Sequence, residues 1–292
     1  MRMTFLLTKI FVRLYGWVQD RFGIRLRGLG YVLRLNRRDC VFSIRGQAMY
    51  FDHRVAAAYG RLVAGGWNEP ETHIFLDSVI AADAGPLAFV DVGASVGEFV
   101  IDVARRDNVT RVVAFEPLEE CAASLRRSAA LNGRSKIEVV PKLVNEDGHP
   151  GVLDFDVRRP TASAAGTGEG ASRKIPATTL DQALAGLDGQ VVLLIDVEGA
   201  EPGVLRGGRE FLRRCAPLII FEYNSVSRKH FNLDDIRDVL GEGYAIYRLT
   251  GSGTLDLDFG RSWNCVAVSA ASPFMPRCNS LFRPAGGAVR SP

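Results

Sequence analysis

No uncharged apolar run in the sequence approaches the roughly 20 residues that a membrane-spanning helix requires. Lys9 interrupts the stretch that a secretory signal would keep apolar, and no A-x-A-like site follows it. Neither a spanning helix nor a secretory signal is therefore expected. Cysteine is sparse: Cys40, Cys121, Cys215, Cys265 and Cys278 are odd in number, widely spread and free of any C-x-x-C pair. That pattern excludes a disulfide scaffold and fits free thiols in a reducing compartment, which predicts a cytoplasmic protein. The four histidines, His53, His73, His149 and His230, form no H-x-H or H-E-x-x-H pattern, so no metal site is assigned to them. Internal repeats and long coiled-coil heptads are missing too, which sets aside solenoids and fibres.

What is present is a globular composition, 47% hydrophobic and 24% charged over 292 residues. A folded chain of this size buries about three quarters of its unfolded surface and needs no staple. The net charge of +3 hides an asymmetry: residues 1–45 carry ten Lys or Arg against two Asp, or +8, leaving 26 against 31, or −5, for the rest. Within the basic end, Leu7, Ile10, Phe11, Leu14, Trp17 and Val18 recur at helical spacing, with Lys9 and Arg13 to the other side. Such a helix suits an anionic membrane surface, an acidic or lipid-linked substrate, or packing on the body of the protein.

Residues 1–86 are expected to form an N-terminal helix and strand module, with alternating runs from Tyr31 to Phe51 and a helix over 71–82. From Leu87 onward strand and helix patterns alternate: strands at 87–92, 111–117, 136–140, 191–196 and 217–224, with helices at 97–106, 118–133, 180–185 and 200–206. This predicts an α/β fold, its sheet mostly parallel and covered by helices on both faces. A short strand pair flanks the Ala-, Gly-, Ser- and Thr-rich stretch 160–172, read as a mobile loop. A helix at 233–240 and two strands at 244–249 and 263–270 complete the main domain, 87–270, and 271–292 read as a tail.

The stretch FVDVGASVGEFV (89–100) is a buried strand ending near Asp91, then Gly93, Ala94, Ser95 and Gly97 at a turn that opens a helix. Glycines there let a ligand approach the backbone, and a helix start offers free N–H groups. Glu116, followed by Pro117, closes the next strand, where a carboxylate in an open α/β sheet takes both hydroxyls of a ribose. A dinucleotide would want G-x-G-x-x-G; this chain has G-x-x-x-G with Asp91 two residues ahead. A carboxylate at that point repels a pyrophosphate but suits the ammonium and sulfonium charges of S-adenosylmethionine. Asn145 or Glu146, just beyond the third strand, is placed to meet the adenine amine, with a plain NEDG turn as the alternative.

The runs DVGASVG (91–97), AFEP (114–117), TTLDQAL (178–184), IDVEGAEPGVLRGG (195–208) and IIFEYN (219–224) together resemble the FkbM-type family of S-adenosylmethionine-dependent methyltransferases. IDVEGAE followed by VLRGG is the specific part. The resemblance implies a seven-stranded class I methyltransferase fold, Rossmann-like, and O-methylation of a hydroxyl on a sugar, glycolipid, polyketide or similar metabolite. Leu194 stands where the family often has Lys, so no charged role is assigned there.

Asp196, Glu198 and Glu222 fall at or beyond the ends of the fourth and fifth strands, on the same crevice edge as the glycine loop, and Glu201 reads as a helix-surface residue. Methyl transfer to an alcohol needs the oxygen held in line and its proton removed. Asp196, at the end of an apolar strand, is the first candidate base; Glu198, Glu222 and His230 are further catalytic candidates, and His149 an alternative. For Asp196 and Glu198 the competing reading is capping of the next helix. Magnesium held by Asp196, Glu198 and Glu222 is weighed and not assigned. Nucleic acid is not expected as a partner, since no N/D-P-P-Y/F signature for base amines and no aromatic interleaving of basic residues occurs. A dehydrogenase, and a non-catalytic S-adenosylmethionine-binding scaffold, stand as rival functions.

Overall fold

The computed structural model describes residues 3–22, 29–155, 162–163, 171–261 and 263–284. It opens with helices α1 (Met3–Phe22) and α2 (Leu29–Arg34), the hairpin β1 (Cys40–Ile44) and β2 (Gln47–Phe51), and a 3-10 stretch, His53–Ala64, before α3 (Pro70–Val79). Then follow β3 (Leu87–Val92), α4 (Glu98–Val103), β4 (Val109–Phe115), α5 (Glu119–Leu131), β5 (Ile137–Val140) and β6 (Leu143–Val144). Three short strands, β7 (Gly151–Phe155), β8 (Ala162–Ser163) and β9 (Ala171–Ile175), form a small antiparallel sheet, and β10 (Ala177–Thr178) pairs with β6. The chain continues through α6 (Leu180–Ala183), β11 (Gln190–Ile195), α7 (Glu201–Arg206), α8 (Arg209–Cys215), β12 (Leu218–Glu222) and α9 (Leu233–Leu240). It closes with β13 (Tyr244–Leu249), β14 (Leu255–Asp256), β15 (Asn264–Ser269) and α10 (Met275–Leu281). Most of the loop 160–172 lies outside the described residues.

The main sheet has eight strands in the order β14-β13-β15-β12-β11-β3-β4-β5. The five strands expected to be parallel, β12, β11, β3, β4 and β5, are parallel, and β15 and β13 run antiparallel. Seven strands match the expected set, and the two-residue β14 is added at the edge. LAFVDV of β3 is buried at all six positions because helices cover both faces, which is why it reads as continuous rather than alternating. Period-two alternation nevertheless sorts its side chains: Phe89 joins one apolar cluster, and Ala88, Val90 and Val92 the other. Each such Val or Phe contributes about 1.5–3 kcal/mol by leaving water. Leu194, at the position where Lys was considered, is part of this core.

The first cluster does not stop at residue 86. It includes Phe5 and Val12 of α1, Phe42 and Ile44 of β1, Phe51 of β2 and Tyr59, together with the sheet residues Val112, Leu218 and Ile220. Polar contacts fasten the hairpin as well. The Asn132 amide at the end of α5 accepts from the Ala48 N–H at 2.9 Å and donates to its carbonyl at 2.7 Å, and the Tyr50 N–H donates to Ser128 Oγ at 3.0 Å.

Two local expectations are corrected and one helix is added. The run beginning at Tyr31 enters as the helix α2 before the hairpin starts at Cys40. The helix expected over 200–206 ends at Arg206 with Gly207 as its C-cap, but a further helix, α8, follows at once, its first turn held by Asp181, which accepts from the Glu210 and Phe211 N–H groups. The segment from 271 is not simply a tail: α10 forms there, with Phe274 and Cys278 fully buried against the first cluster.

Candidate active site

The sheet order reverses between β3 and β11, since the chain first adds β4 and β5 on one side and then crosses to the other. Ligands in open α/β sheets bind at the carboxyl ends of the strands flanking such a reversal. Register pairs Asp91 with Leu194 and Val92 with Ile195, so the turn after β3 and the loop after β11 begin side by side. Gly93 sits at φ +94°, and a Cβ there would lie 1.9 Å from the Asp196 carbonyl oxygen. Gly97 sits at φ +90°, where a Cβ would meet Leu125 Cδ1 at 2.2 Å. Both glycines are thus required by backbone conformation and by space. Between them the Gly93 and Ala94 N–H groups donate to the Phe115 carbonyl at 2.9 and 3.0 Å, which ties the turn to the end of β4.

Glu116 follows β4 and is buried. Its Oε2 accepts from the Ser95 N–H and its Oε1 from the Leu118 N–H, each at 2.8 Å, which leaves further lone pairs on both oxygens. Burial pushes its carboxyl up to about 7, against those two backbone bonds. Pro117 is half-buried beside it. Asp91 is 1% exposed, and neither carboxylate oxygen has a hydrogen-bond partner among the described residues. Burial, then Glu116, Glu69 and Glu98, raise its carboxyl far above the usual range. A buried, orphaned acid at a ligand-binding turn is unfavourable unless a cationic group comes to it. The residues present therefore fit the ammonium and sulfonium of S-adenosylmethionine.

Beyond β11 and β12, Asp196, Glu198 and Glu222 are brought together: each offers a carboxylate oxygen, and these lie within 4.8 Å of one another. The set is hard and oxygen-only, the donor chemistry that magnesium prefers. Glu222 is buried; its Oε2 accepts from Ser227 Oγ at 2.9 Å and its Oε1 from the Asn224 amide. Burial and then Glu198 push it up to about 8. Asp196 is half-buried and its carboxylate accepts no hydrogen bond among the described residues; burial and then Glu222 hold it well above the usual range. Glu198 is raised by burial and occupies a left-handed φ of +55°, uncommon outside glycine.

Glu201, expected on the helix surface, is fully buried. Its Oε1 accepts from the Val197 and Gly199 N–H groups at 3.1 and 3.3 Å, so it shapes the loop that carries Asp196 and Glu198. Burial pushes it up to about 7. Asn145, expected at the adenine, spends its amide on its own turn instead: it donates to the His149 carbonyl and accepts from the Gly148 N–H at 2.9 and 2.8 Å. That is Asx-turn chemistry. His149 is exposed and pairs with Asp147 at 3.0 Å. His230 is also exposed, but its ring lies against Gly199, where a Cβ would stand 2.6 Å from its Cδ2.

Two contributors escape a reading of the sequence. Glu69, just ahead of α3, accepts from the Asn264 amide at 2.6 Å and Thr72 Oγ at 3.1 Å; burial, then Glu98, push it up to about 7, and its charge reaches Asp91, Asp196 and Glu222. His73 is buried and stacked between Trp67 and Phe99 at 3.9 and 4.7 Å. Its Nδ1 meets Asp102 at 3.0 Å and its Nε2 meets Glu98 at 3.2 Å. Burial alone would lower His73, yet the two carboxylates outweigh it and hold the ring above its ordinary value. No sequence motif announces either residue.

The sequence matches the model of the methyltransferase FkbM domain over residues 91–248. No curated protein matches it. Among solved structures, the chain is similar to an FkbM methyltransferase from Methylobacillus flagellatus KT at 16% identity and TM-score 0.43, over 75% of this chain and 55% of that one. It is also similar to the ribosomal protein L11 methylase of Lactobacillus delbrueckii subsp. bulgaricus at 17% identity and TM-score 0.39, over 69% and 79% of the two chains. A third similar structure is magnesium protoporphyrin IX methyltransferase from Synechocystis PCC 6803 with bound SAM, at 15% identity and TM-score 0.40, over 90% and 97%. These likenesses assign no residue roles. The family match takes in 158 of the 292 residues and both strand ends described above: the chain belongs to the FkbM family of S-adenosylmethionine-dependent methyltransferases.

Proposed function

We propose that this methyltransferase acts on a hydroxyl oxygen of a sugar, glycolipid, polyketide or similar metabolite. The observation that carries the proposal is the Asp196 carboxylate: unbonded, half-buried and raised in pKa, beside the turn after β3. Bound S-adenosylmethionine supplies a methyl group already activated by its sulfonium. Asp91 answers the positive charge of that cofactor, Gly93, Ala94, Ser95 and Gly97 form its cradle, and Glu116, with Pro117 beside it, takes the ribose hydroxyls on its remaining lone pairs. Asn145 is given no adenine contact.

An alcohol is a weak nucleophile until its proton leaves, so a positioned base raises the rate. Asp196 takes that proton. Glu222 beside it is raised as well, and the buried pair resists carrying two negative charges at once. Glu198 and His230 border the same loop and orient the acceptor.

The first test is calorimetric titration with S-adenosylmethionine, S-adenosylhomocysteine and NAD, with Glu116→Ala as control. Binding of the first two, weakened in the variant, fits the proposed cofactor contacts, whereas binding of NAD alone contradicts them. The second is Asp196→Asn, expected to lower kcat by about 10²–10⁴-fold with cofactor affinity little changed. Full activity in that variant would place the base elsewhere.

A further inference from the structure

Helix α1 lies on the protein by one side only. Phe5, Thr8, Val12 and Gly16 are buried, while Leu6, Leu7, Ile10, Phe11, Leu14 and Trp17 are exposed, Leu14 at 60% and Leu7 and Trp17 at 59%. At the helical turn angle those six side chains fall within an arc of about 140°, so they form one continuous apolar stripe. Of the thirteen large apolar side chains exposed among the described residues, eight belong to the first 41 positions. Scattered exposed apolar residues need no explanation, but a contiguous stripe marks a contact surface.

The charge around it selects the partner. Lys9 and Arg13 lie along one edge of the stripe, Lys9 Nζ 5.4 Å from the Phe5 ring centroid and Arg13 Nε donating to the Ala64 carbonyl at 3.3 Å, and the first 45 residues carry a net +8 against −5 for the remainder. A second copy of this chain would bring the same positive field to the same face, which opposes self-association. An anionic lipid surface meets both features, its acyl boundary taking the apolar arc and its headgroups the basic edge. We infer that α1 is a membrane-docking helix, lying in the plane of an anionic bilayer surface with Leu7, Ile10, Phe11, Leu14 and Trp17 immersed. No helix among the described residues is long and apolar enough to cross a membrane, so the contact is with one leaflet.

The opposite, protein-facing side of α1 is linked to the site. A Cβ at Gly16 would stand 3.4 Å from the Arg61 guanidinium, the Arg61 N–H donates to Asn68 Oδ1 at 2.8 Å, and the Asn68 amide donates to Glu98 at 2.6 Å, at the start of the helix after the glycine turn. A lipid surface held against α1 offers lipid-linked hydroxyls, which favours that class among the acceptors named above. This last step, unlike the docking, rests on the proposed O-methylation.

Co-sedimentation of the full chain with phosphatidylcholine vesicles, with and without phosphatidylserine, tests the docking without reference to activity. Binding is expected to the anionic vesicles, to weaken with added salt, and to fall at least about tenfold in Leu7→Glu/Leu14→Glu. Lys9→Gln/Arg13→Gln should lose the preference for phosphatidylserine. Unchanged S-adenosylmethionine binding in both variants certifies that they are folded. The inference is overturned if the chain ignores both vesicle types, if the double glutamate variant still binds, or if sedimentation velocity shows a dimer that this variant dissolves.

Discussion

Asp91 and Glu116 close adjacent parallel strands, both buried and both acidic, yet their carboxylates lead opposite lives. Glu116 is bonded by two backbone N–H groups and so builds the cofactor turn, whereas Asp91 has no partner for either oxygen among the described residues. The first acid is part of the architecture. The second is, in the proposed role, an acid kept from ionising by its burial until a cation arrives. The same kind of side chain one strand apart thus separates what a site needs to exist from what it needs to bind.

Replacing Gly93 by Ala breaks the comparison most severely, because it removes the floor beneath both acids. The added Cβ would collide with backbone, at a left-handed φ, and the expected result is loss of S-adenosylmethionine binding with a destabilisation of several kcal/mol, read by calorimetry and chemical denaturation. Exchanging the charges sharpens it. Glu116→Gln leaves one of two N–H groups without an acceptor and should cost about 1–3 kcal/mol of stability. Asp91→Asn should do the reverse, raising the stability of the ligand-free protein while weakening cofactor affinity by about tenfold or more. Equal stability losses in the two variants would show that Asp91 is structural after all.

The smallest effect is a drift with pH. Glu116 and Glu222 have folded values near 7 and 8, raised above the ordinary 4.5, so the native state binds more protons than the unfolded chain between those values. Stability of the ligand-free protein is then greatest below about 4.5, as far as these groups are concerned, and declines as pH rises toward about 7 to 8. Saturating S-adenosylmethionine should flatten that decline; melting curves from about pH 5 to 8 that stay level without ligand would contradict the assigned shifts.

How much of this was legible depended on whether the signal was local. β3 and α9 have the bounds expected of them because buried parallel strands and capped helices write themselves into consecutive residues: Leu87–Val92 is wholly apolar save Asp91, and Asn232 forms a capping box with Asp235 ahead of Leu233–Leu240. The glycine turn was legible for the same reason. The role of Glu201 was not, because its partners are the backbone N–H groups of Val197 and Gly199, and a backbone group has no letter in the sequence. Glu69 and His73 join the site only through packing of α3 against α4 and β15, and α8 and α10 are too short for their periodicity to stand out from the loops around them. Asn145 shows the opposite case, a polar residue at a promising strand end whose amide serves its own turn, the alternative that NEDG also allowed.

The contact between Gly93 and Asp196 also has a consequence for how the molecule comes into being. It joins positions 103 residues apart, and the register of β3 against β11 spans the same interval. Closing so large a loop is entropically slow, and pairings of this kind are made late in folding. A growing chain that has reached only β5 holds the turn, Asp91 and Glu116, but not the wall that the turn leans on. The crevice is therefore complete only once β3 and β11 have paired, and a ligand that fills it draws the population toward the paired sheet.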